Sequence, residues 1–197
     1  MKKYATIMAD PAWPYHSQDL KAAPDHRPNT WDGPTGGVAA AARYNLLSAD
    51  GIKALPVEAL ADDNAHLYLW TTNSFMVEAH EVAVAWGFEP KTIITWIKHK
   101  QGQPSVPSMK MGYWFRSASE HCLFAVRGKL RLKDKVCLPT WFGHERMEHS
   151  AKPDVFREMI EKASPGPYLE MFARAARVGW DVWGDQAPGS IALSEVA

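Results

Sequence analysis

The residues of this chain best suited to chemistry are Asp10-Pro11-Ala12-Trp13, which follow a short apolar run from Tyr4 to Ala9. The run predicts a buried strand, and ligands of open α/β sheets bind outside the carboxyl ends of such strands. The Asp10 carboxylate and the Pro11 carbonyl can accept the two N–H groups of an amine on a flat base, on which Trp13 can stack. A strand-ending turn explains the same residues, because Asp and Pro are common in turns. The tetrapeptide alone leaves both interpretations open.

A second group of charged residues lies near the other end of the chain. Lys152 precedes Pro153 at the predicted start of a helix capped by Ser150, and a helix N-terminus favours an anion. Glu170 and Arg174 flank the end of a predicted strand over 168–172, where an acid can bind ribose hydroxyls. Arg177 adds a further donor. A surface lysine at position 152 remains the alternative interpretation.

The bulk properties favour one compact domain over residues 1–186, followed by a tail over residues 187–197. Two cysteines without a Cys-x-x-Cys pair indicate a reducing compartment, and no signal peptide or membrane span is visible, so we expect a cytoplasmic protein without membrane contact. No metal site is expected. His144 and His149 are five residues apart, a spacing that would separate them on a helix and prevent them from sharing one ion.

The net charge is zero, but the basic residues are unevenly distributed. Ten Lys or Arg lie between Lys91 and Lys135 against two acidic residues, a local balance of +8. We call residues 91–135 the basic stripe. Aromatic residues lie within it, and this mixture favours a nucleic-acid surface, for which Lys129, Arg131 and Lys133 are the candidate contacts. A solvated charged surface explains the stripe equally well from sequence alone.

The order of predicted elements favours an α/β fold with a largely parallel, doubly wound sheet and helices on both faces. Strands are predicted over 66–71, 92–98, 121–127 and 168–172, and helices over 75–86 and from residue 153. Trp180 to Trp183 closes the ordered part, and polar loops are expected over 100–111 and 128–148. The long stretch over 16–43, rich in Pro and Gly, predicts a lid or binding loop.

Five segments in order along the chain resemble the MT-A family of adenine N6-methyltransferases. They are Asp10 to Trp13, Arg43 to Asp50, Gly112 to Cys122, His149 to Asp154, and Leu169 to Arg174 followed by Trp183-Gly184-Asp185-Gln186. The resemblance implies a Rossmann-like, class I methyltransferase fold that uses S-adenosylmethionine. It also implies a permuted order, in which the catalytic strand precedes the cofactor strand.

The resemblance assigns roles to particular residues. Asp10, Pro11 and Trp13 are then catalytic, and Tyr44 lies in the loop framing the base, with Ser150 near the substrate. The implied cofactor residues are Asp10, Pro11, Lys152, Glu170, Phe172, Arg174, Arg177, Asp185 and Gln186. Ala12 replaces the family's second proline and Asp185 replaces its asparagine.

We therefore expect adenine methylation in nucleic acid, DNA more than RNA, by a homodimer or with a partner subunit. An RNA enzyme and a catalytically silent binding subunit are the alternatives.

Overall fold

A computed structural model of the chain describes residues 2–14, 47–109, 114–147, 151–184 and 187–193. Its strands are β1 (Tyr4–Ala9), β2 (Ala61–Thr71), β3 (Glu89–Lys100), β4 (Gln103–Pro107), β5 (Ser119–Arg127), β6 (Trp141–Glu145), β7 (Tyr168–Met171) and β8 (Trp180–Trp183). Its helices are α1 (Ala49–Lys53), α2 (Val57–Leu60), α3 (Met76–Ala85) and α4 (Asp154–Ala163), with a 3-10 turn over Asn73–Phe75.

The strands form one mixed sheet in the order β4-β3-β5-β2-β1-β7-β8, and β6 also pairs with β3. Among the described residues, four strand pairings are parallel and three are antiparallel. β1 lies between β2 and β7 and is parallel to both, which places the first strand of the chain at the centre of the sheet. The permuted order predicted from the sequence is therefore built around β1.

Helices cover both faces of the sheet, because the central strands are apolar on both sides. Leu67 and Leu69 of β2 face a core shared with α1, α2 and α3. Tyr68 and Trp70 alternate to the opposite face and pack in a second core with Phe156 of α4. This confirms the α/β fold with helices on both faces.

Several residues of the predicted site lie at one edge of the sheet. β1, β2 and β7 run parallel, so Asp10, Thr71 and Met171 all lie at their carboxyl ends, and the Asp10 amide donates to the Met171 carbonyl at 3.4 Å. β5 runs antiparallel to β2, so its first residues reach the same edge, with His121 opposite Thr71. We call this edge the carboxyl edge and the opposite one the amino edge.

The sequence prediction was wrong in three places. β4 and β6 occupy parts of the two segments expected to be loops, and β2 begins at Ala61 rather than at His66. These segments are polar or contain proline, so their composition does not predict strands. They are strands because β4 and β6 pair with β3, and the first residues of β2 pair with β1. Ser74 directly precedes the predicted helix over 75–86 and is a capping residue by type, but it lies in the 3-10 turn and does not cap α3. Ser48, which the sequence predicts as the cap of a short helix ending before Pro56, does cap α1, since its hydroxyl accepts from the Gly51 amide at 3.0 Å.

Residues 187–193 contact the sheet. Ala187 is buried, the Ile191 amide donates to the Val182 carbonyl at 2.9 Å, and Leu193 packs against the core of the α1–α3 face. Within the described ranges, no helix combines the length and apolar character that crossing a membrane requires. Those ranges also contain no group of three potential metal ligands.

A buried polar network holds the amino edge together. His66 is fully buried, and its Nδ1 lies 2.7 Å from the Ser164 hydroxyl, which also bonds to the Tyr68 hydroxyl at 2.7 Å. The other ring nitrogen, Nε2, is 3.3 Å from the Leu130 carbonyl. Burial lowers the pKa of His66 because it disfavours the imidazolium, and the Leu130 carbonyl opposes this only in part.

We predict that this histidine makes the fold less stable in mild acid. His66 stays neutral in the folded state while the unfolded chain protonates below about pH 6.5, so stability is fully present above that pH and falls below it. The loss is at most about 1.4 kcal/mol per pH unit for one group. Urea unfolding at pH 7.5 and 5.5 should show a smaller pH effect for His66→Gln than for wild type or for His80→Gln on the surface of α3. Equal pH effects in all three proteins would contradict the prediction.

Candidate methyltransferase site

Asp10 is held in place at the carboxyl edge by a lysine far away in sequence. The Lys152 ammonium lies 2.6 Å from Asp10 Oδ2 and 3.5 Å from a Glu120 oxygen. Only 8% of the Lys152 side chain is exposed, and its ammonium lies 5.1 Å from the centroid of the Trp70 ring. Glu120 in turn is bonded to Lys98, another buried lysine. Four charges of alternating sign therefore form a continuous network, which we call the charge network: Asp10, Lys152, Glu120 and Lys98.

The pKa values of Asp10 and Lys152 are both raised, but for different reasons. Burial raises the pKa of the Asp10 carboxyl, and the positive charge of Lys152 offsets only part of the rise. Burial would by itself lower the pKa of Lys152, but the carboxylates of Asp10 and Glu120 outweigh it. A carboxylate with a raised pKa is a stronger proton acceptor, which is the property needed to polarise an amine.

The turn after β1 is fixed by its own backbone and by Trp13. The Trp13 amide donates to the Pro11 carbonyl at 2.9 Å, so one lone pair of that carbonyl is occupied and the other remains for a ligand. The indole N–H donates to the Trp70 carbonyl at 2.9 Å, and the ring stacks on Phe75 at 5.5 Å between centroids. Trp13 is only 6% exposed. Trp13 therefore lines the site from a buried position, and less of its ring surface is exposed for stacking on a base than the sequence interpretation assumed.

Glu170 on β7 is the second acid near this edge. Its oxygens accept from Nε and Nη2 of Arg157 at 2.9 and 2.7 Å, and the residue is 9% exposed. Arg177, predicted near the cofactor, is bonded to Asp154 at the start of α4. Arg174 is exposed, and its charge acts on both Asp10 and Lys152.

The backbone beyond β7 and β8 is closely packed. Phe172 has a positive φ of 63° and packs edge-to-face on Trp183, with 5.2 Å between ring centroids. The Ala173 amide donates to the Trp183 carbonyl. A Cβ on Gly184 would lie 2.1 Å from the Ala173 carbonyl oxygen, so only glycine fits there. This explains the glycine in the Trp183-Gly184 pair of the sequence motif.

The described residues fit S-adenosylmethionine by the chemistry of their side chains. Two carboxylates at one edge, Asp10 and Glu170, can accept from an ammonium and from ribose hydroxyls, while Lys152 and Arg174 suit a carboxylate. Trp70 Nε1 is buried and has no hydrogen-bond partner among the described residues, which leaves a donor at the same network.

Not every predicted site residue reaches this edge. Lys129, Arg131 and Lys133 follow the end of β5, which lies opposite Ala65 at the amino edge. The Lys129 amide bonds to Asn64, and the Lys133 ammonium to the Glu161 carbonyl at 2.6 Å. β5 rises by about 20 Å over the six steps from His121 to Arg127, so these cations lie a strand length away from the edge that carries Asp10. Tyr44, Ser150, Asp185 and Gln186 lie outside the described residues, as does the whole of the predicted lid over 16–43.

Sequence reasoning did not assign Lys98, Glu120, Arg157 or Phe75 to the site. Two signals could have drawn attention to the first pair. Lys98 interrupts an apolar strand run, and Glu120 directly precedes another, so each had to find a buried partner of opposite charge.

Comparison with known proteins agrees with this geometry. The MT-A70 family model matches residues 4–186. The chain is 30% identical over 190 residues to the human N(6)-adenosine-methyltransferase catalytic subunit METTL3, covering 95% of this chain and 29% of that protein. It is 28% identical over 193 residues to the type II methyltransferase M.MunI of a Mycoplasma species, covering 95% of this chain and 79% of that protein.

The chain thus spans less than a third of the length of its METTL3 relative. The family match nevertheless extends from β1 through β8 and includes the charge network. By its sequence, and with a fold and site that agree, this chain belongs to the MT-A70 family of methyltransferases that use S-adenosylmethionine.

Proposed function

We propose that this protein methylates the exocyclic amine of adenine in nucleic acid, more readily in DNA than in RNA. The observation that carries the proposal is the Asp10 carboxylate at the end of β1, held by Lys152 and followed by Pro11 and Trp13. The family supplies the reaction class. The preference for DNA rests on the similarity to the type II methyltransferase, of which this chain covers 79%, against 29% of METTL3.

The amine must become a better nucleophile before it can accept a methyl group, because its lone pair is delocalised into the ring. The Asp10 carboxylate and the free lone pair of the Pro11 carbonyl accept its two N–H groups and favour a tetrahedral nitrogen. The bound cofactor supplies the methyl group as a sulfonium. Trp13 and Phe75 wall the base on the apolar side and exclude water.

Lys152 has a second task besides the cofactor contact predicted from the sequence. Because its ammonium bonds to Asp10 and lies close to Glu120, it orients the acceptor carboxylate and balances its charge. The ammonium has three donors, so one remains for the cofactor carboxylate after these contacts. Positioning of this kind, rather than proton removal, accounts for most of the rate in such a step.

The first test replaces the acceptor while keeping its shape. Asp10→Asn should reduce turnover by about 100-fold, because one transition-state acceptor loses its charge, and should weaken S-adenosylmethionine binding much less. The control is Asp181→Asn, which removes a carboxylate bound to Tyr4 and Lys2 at the amino end of β1. Turnover is measured as N6-methyladenine formed in oligonucleotides, by nucleoside mass spectrometry.

Substrates for this assay are single-stranded DNA, duplex DNA and RNA of one sequence. Near-wild-type turnover in Asp10→Asn would remove Asp10 from the mechanism. Product in RNA alone would favour the RNA enzyme. No product with any substrate, despite cofactor binding by calorimetry, would favour a silent subunit.

The polynucleotide should approach along the carboxyl edge. Lys100 and Arg116 are exposed cations there, and Trp114 and Phe115 are 77% and 94% exposed beside them. The Lys98 amide bonds to the Ala118 carbonyl, which holds this aromatic segment against β3. Exposed aromatic rings beside cations suit unstacked bases and their phosphates.

We predict that charge reversal distinguishes the two edges. Lys100→Glu with Arg116→Glu should raise the KM for the oligonucleotide by at least about tenfold and reduce the salt dependence of binding, because two phosphate contacts are lost. Lys129→Glu with Arg131→Glu reverses the same number of charges at the amino edge and should change KM less than threefold, within the additivity error of distant sites. KM values at two salt concentrations provide the measurement. The opposite ranking of the two variants would place the polynucleotide at the amino edge.

A further inference from the structure

Arg157 joins the two halves of the site, although neither the sequence motifs nor the family comparison assigns it a role. It lies in the first turn of α4 with only 13% of its side chain exposed. Its guanidinium bonds both oxygens of Glu170 and lies 3.0 Å from Asp154. It also contacts the Lys152 carbonyl at 3.5 Å.

The Glu170 contact is the most constraining of these. A guanidinium is a rigid planar fork, so two parallel bonds to one carboxylate fix the carboxylate plane as well as its position. Each Glu170 oxygen retains a second lone pair, and its direction is now set by Arg157. A carboxylate held in this way presents a preorganised acceptor pair at the end of β7, beside the end of β1.

The second contact reaches the catalytic half. Lys152 immediately precedes α4, and its ammonium bonds to Asp10 at 2.6 Å. Arg157 thus contacts the backbone of Lys152, whose side chain holds Asp10, and also binds the Glu170 carboxylate. A single side chain therefore fixes the relative placement of the two carboxylates across the sheet edge.

We propose that Arg157 is a positioning residue for the cofactor, which orients Glu170 to accept the ribose hydroxyls and keeps Lys152 in register with Asp10. The inference rests on the proposed cofactor role of Glu170. It does not depend on which nucleic acid receives the methyl group. A purely structural Arg157 would neutralise a buried acid without affecting ligand affinity.

The experiment is calorimetric titration of the 197-residue chain with S-adenosylhomocysteine, which measures binding at the cofactor site without any methyl transfer. Arg157→Gln should weaken binding by about tenfold, the equivalent of one charge-assisted hydrogen bond. Arg157→Lys keeps the charge but loses the fork, and should lie between wild type and Arg157→Gln. Thermal unfolding of each variant reports its stability separately.

The matched control is Arg127→Gln. Arg127 also bonds a carbonyl, that of Glu58 at 2.7 Å, and contacts the Glu58 carboxylate at 3.8 Å, but at the amino edge. Its loss should leave the affinity for S-adenosylhomocysteine unchanged. A fall in affinity in this control equal to that of Arg157→Gln would show a general effect of lost stability and overturn the proposal.

A double-mutant cycle with Glu170→Gln tests whether Arg157 acts through that acid. In the Glu170→Gln background, Arg157→Gln should have less than a twofold further effect on affinity, because the acceptor it orients is already altered. Additive effects, or wild-type affinity in folded Arg157→Gln, would contradict the proposal. If Arg157→Gln does not fold, wild-type affinity in Arg157→Lys contradicts it equally. Absence of adenine methylation would refute only the proposed function, because these titrations need no methyl acceptor.

Discussion

The ion pair between Asp10 and Lys152 is the interaction on which the arrangement of this site depends. The two residues are 142 positions apart, and their contact fixes the start of α4 against the end of β1. A buried charge is costly unless it is paired, so each member requires the next one. Glu120 balances Lys152, and Lys98 balances Glu120. The charge network therefore brings β1, β3, β5 and the segment before α4 together at one edge of the sheet.

The central, buried position of β1 explains how the strand that ends at Asp10 can be the first strand of the chain. β1 has parallel neighbours on both sides and is buried along its whole length, so its end is a rigid platform. Asp10 emerges from that platform, and the aromatic pair of Trp13 and Phe75 closes the apolar side. Glu170, held by Arg157, lies on the neighbouring strand. Permuting the order of the elements leaves these spatial relations unchanged, because parallel strands share one carboxyl edge.

The sequence predicted the parts of this arrangement that local patterns encode. An apolar run followed by Asp10-Pro11 predicted the strand β1 and the position of its carboxyl end, and Ser48 predicted a helix start. The partners within the charge network could not be predicted in this way, since Lys98, Glu120 and Lys152 meet only through strand pairing. Strands β4 and β6 were missed for the same reason, because their pairing with β3 overrides a weak local preference.

The residues of the basic stripe do not form one continuous surface. Residues 91–135 look like one basic surface, yet β5 turns the chain back and sends Lys129 and Arg131 to the edge opposite Asp10. Lys98 is buried in the charge network, and Lys91 pairs with Glu89. The local balance of +8 therefore contains structural charges as well as exposed ones. The cations that lie close together in the sequence are therefore not close together in the structure.

The account depends most directly on the coupling between Asp10 and Lys152. The decisive measurement is the free energy of unfolding in denaturant for wild type, Asp10→Asn, Lys152→Met and the double variant. Each single variant removes one side of the Asp10–Lys152 pair and leaves the remaining buried charge less well compensated, so the double variant should be less destabilised than the sum of the two, by more than about 1 kcal/mol. Additive effects, within about 0.5 kcal/mol, would show that the two side chains do not form the buried pair on which the site is built.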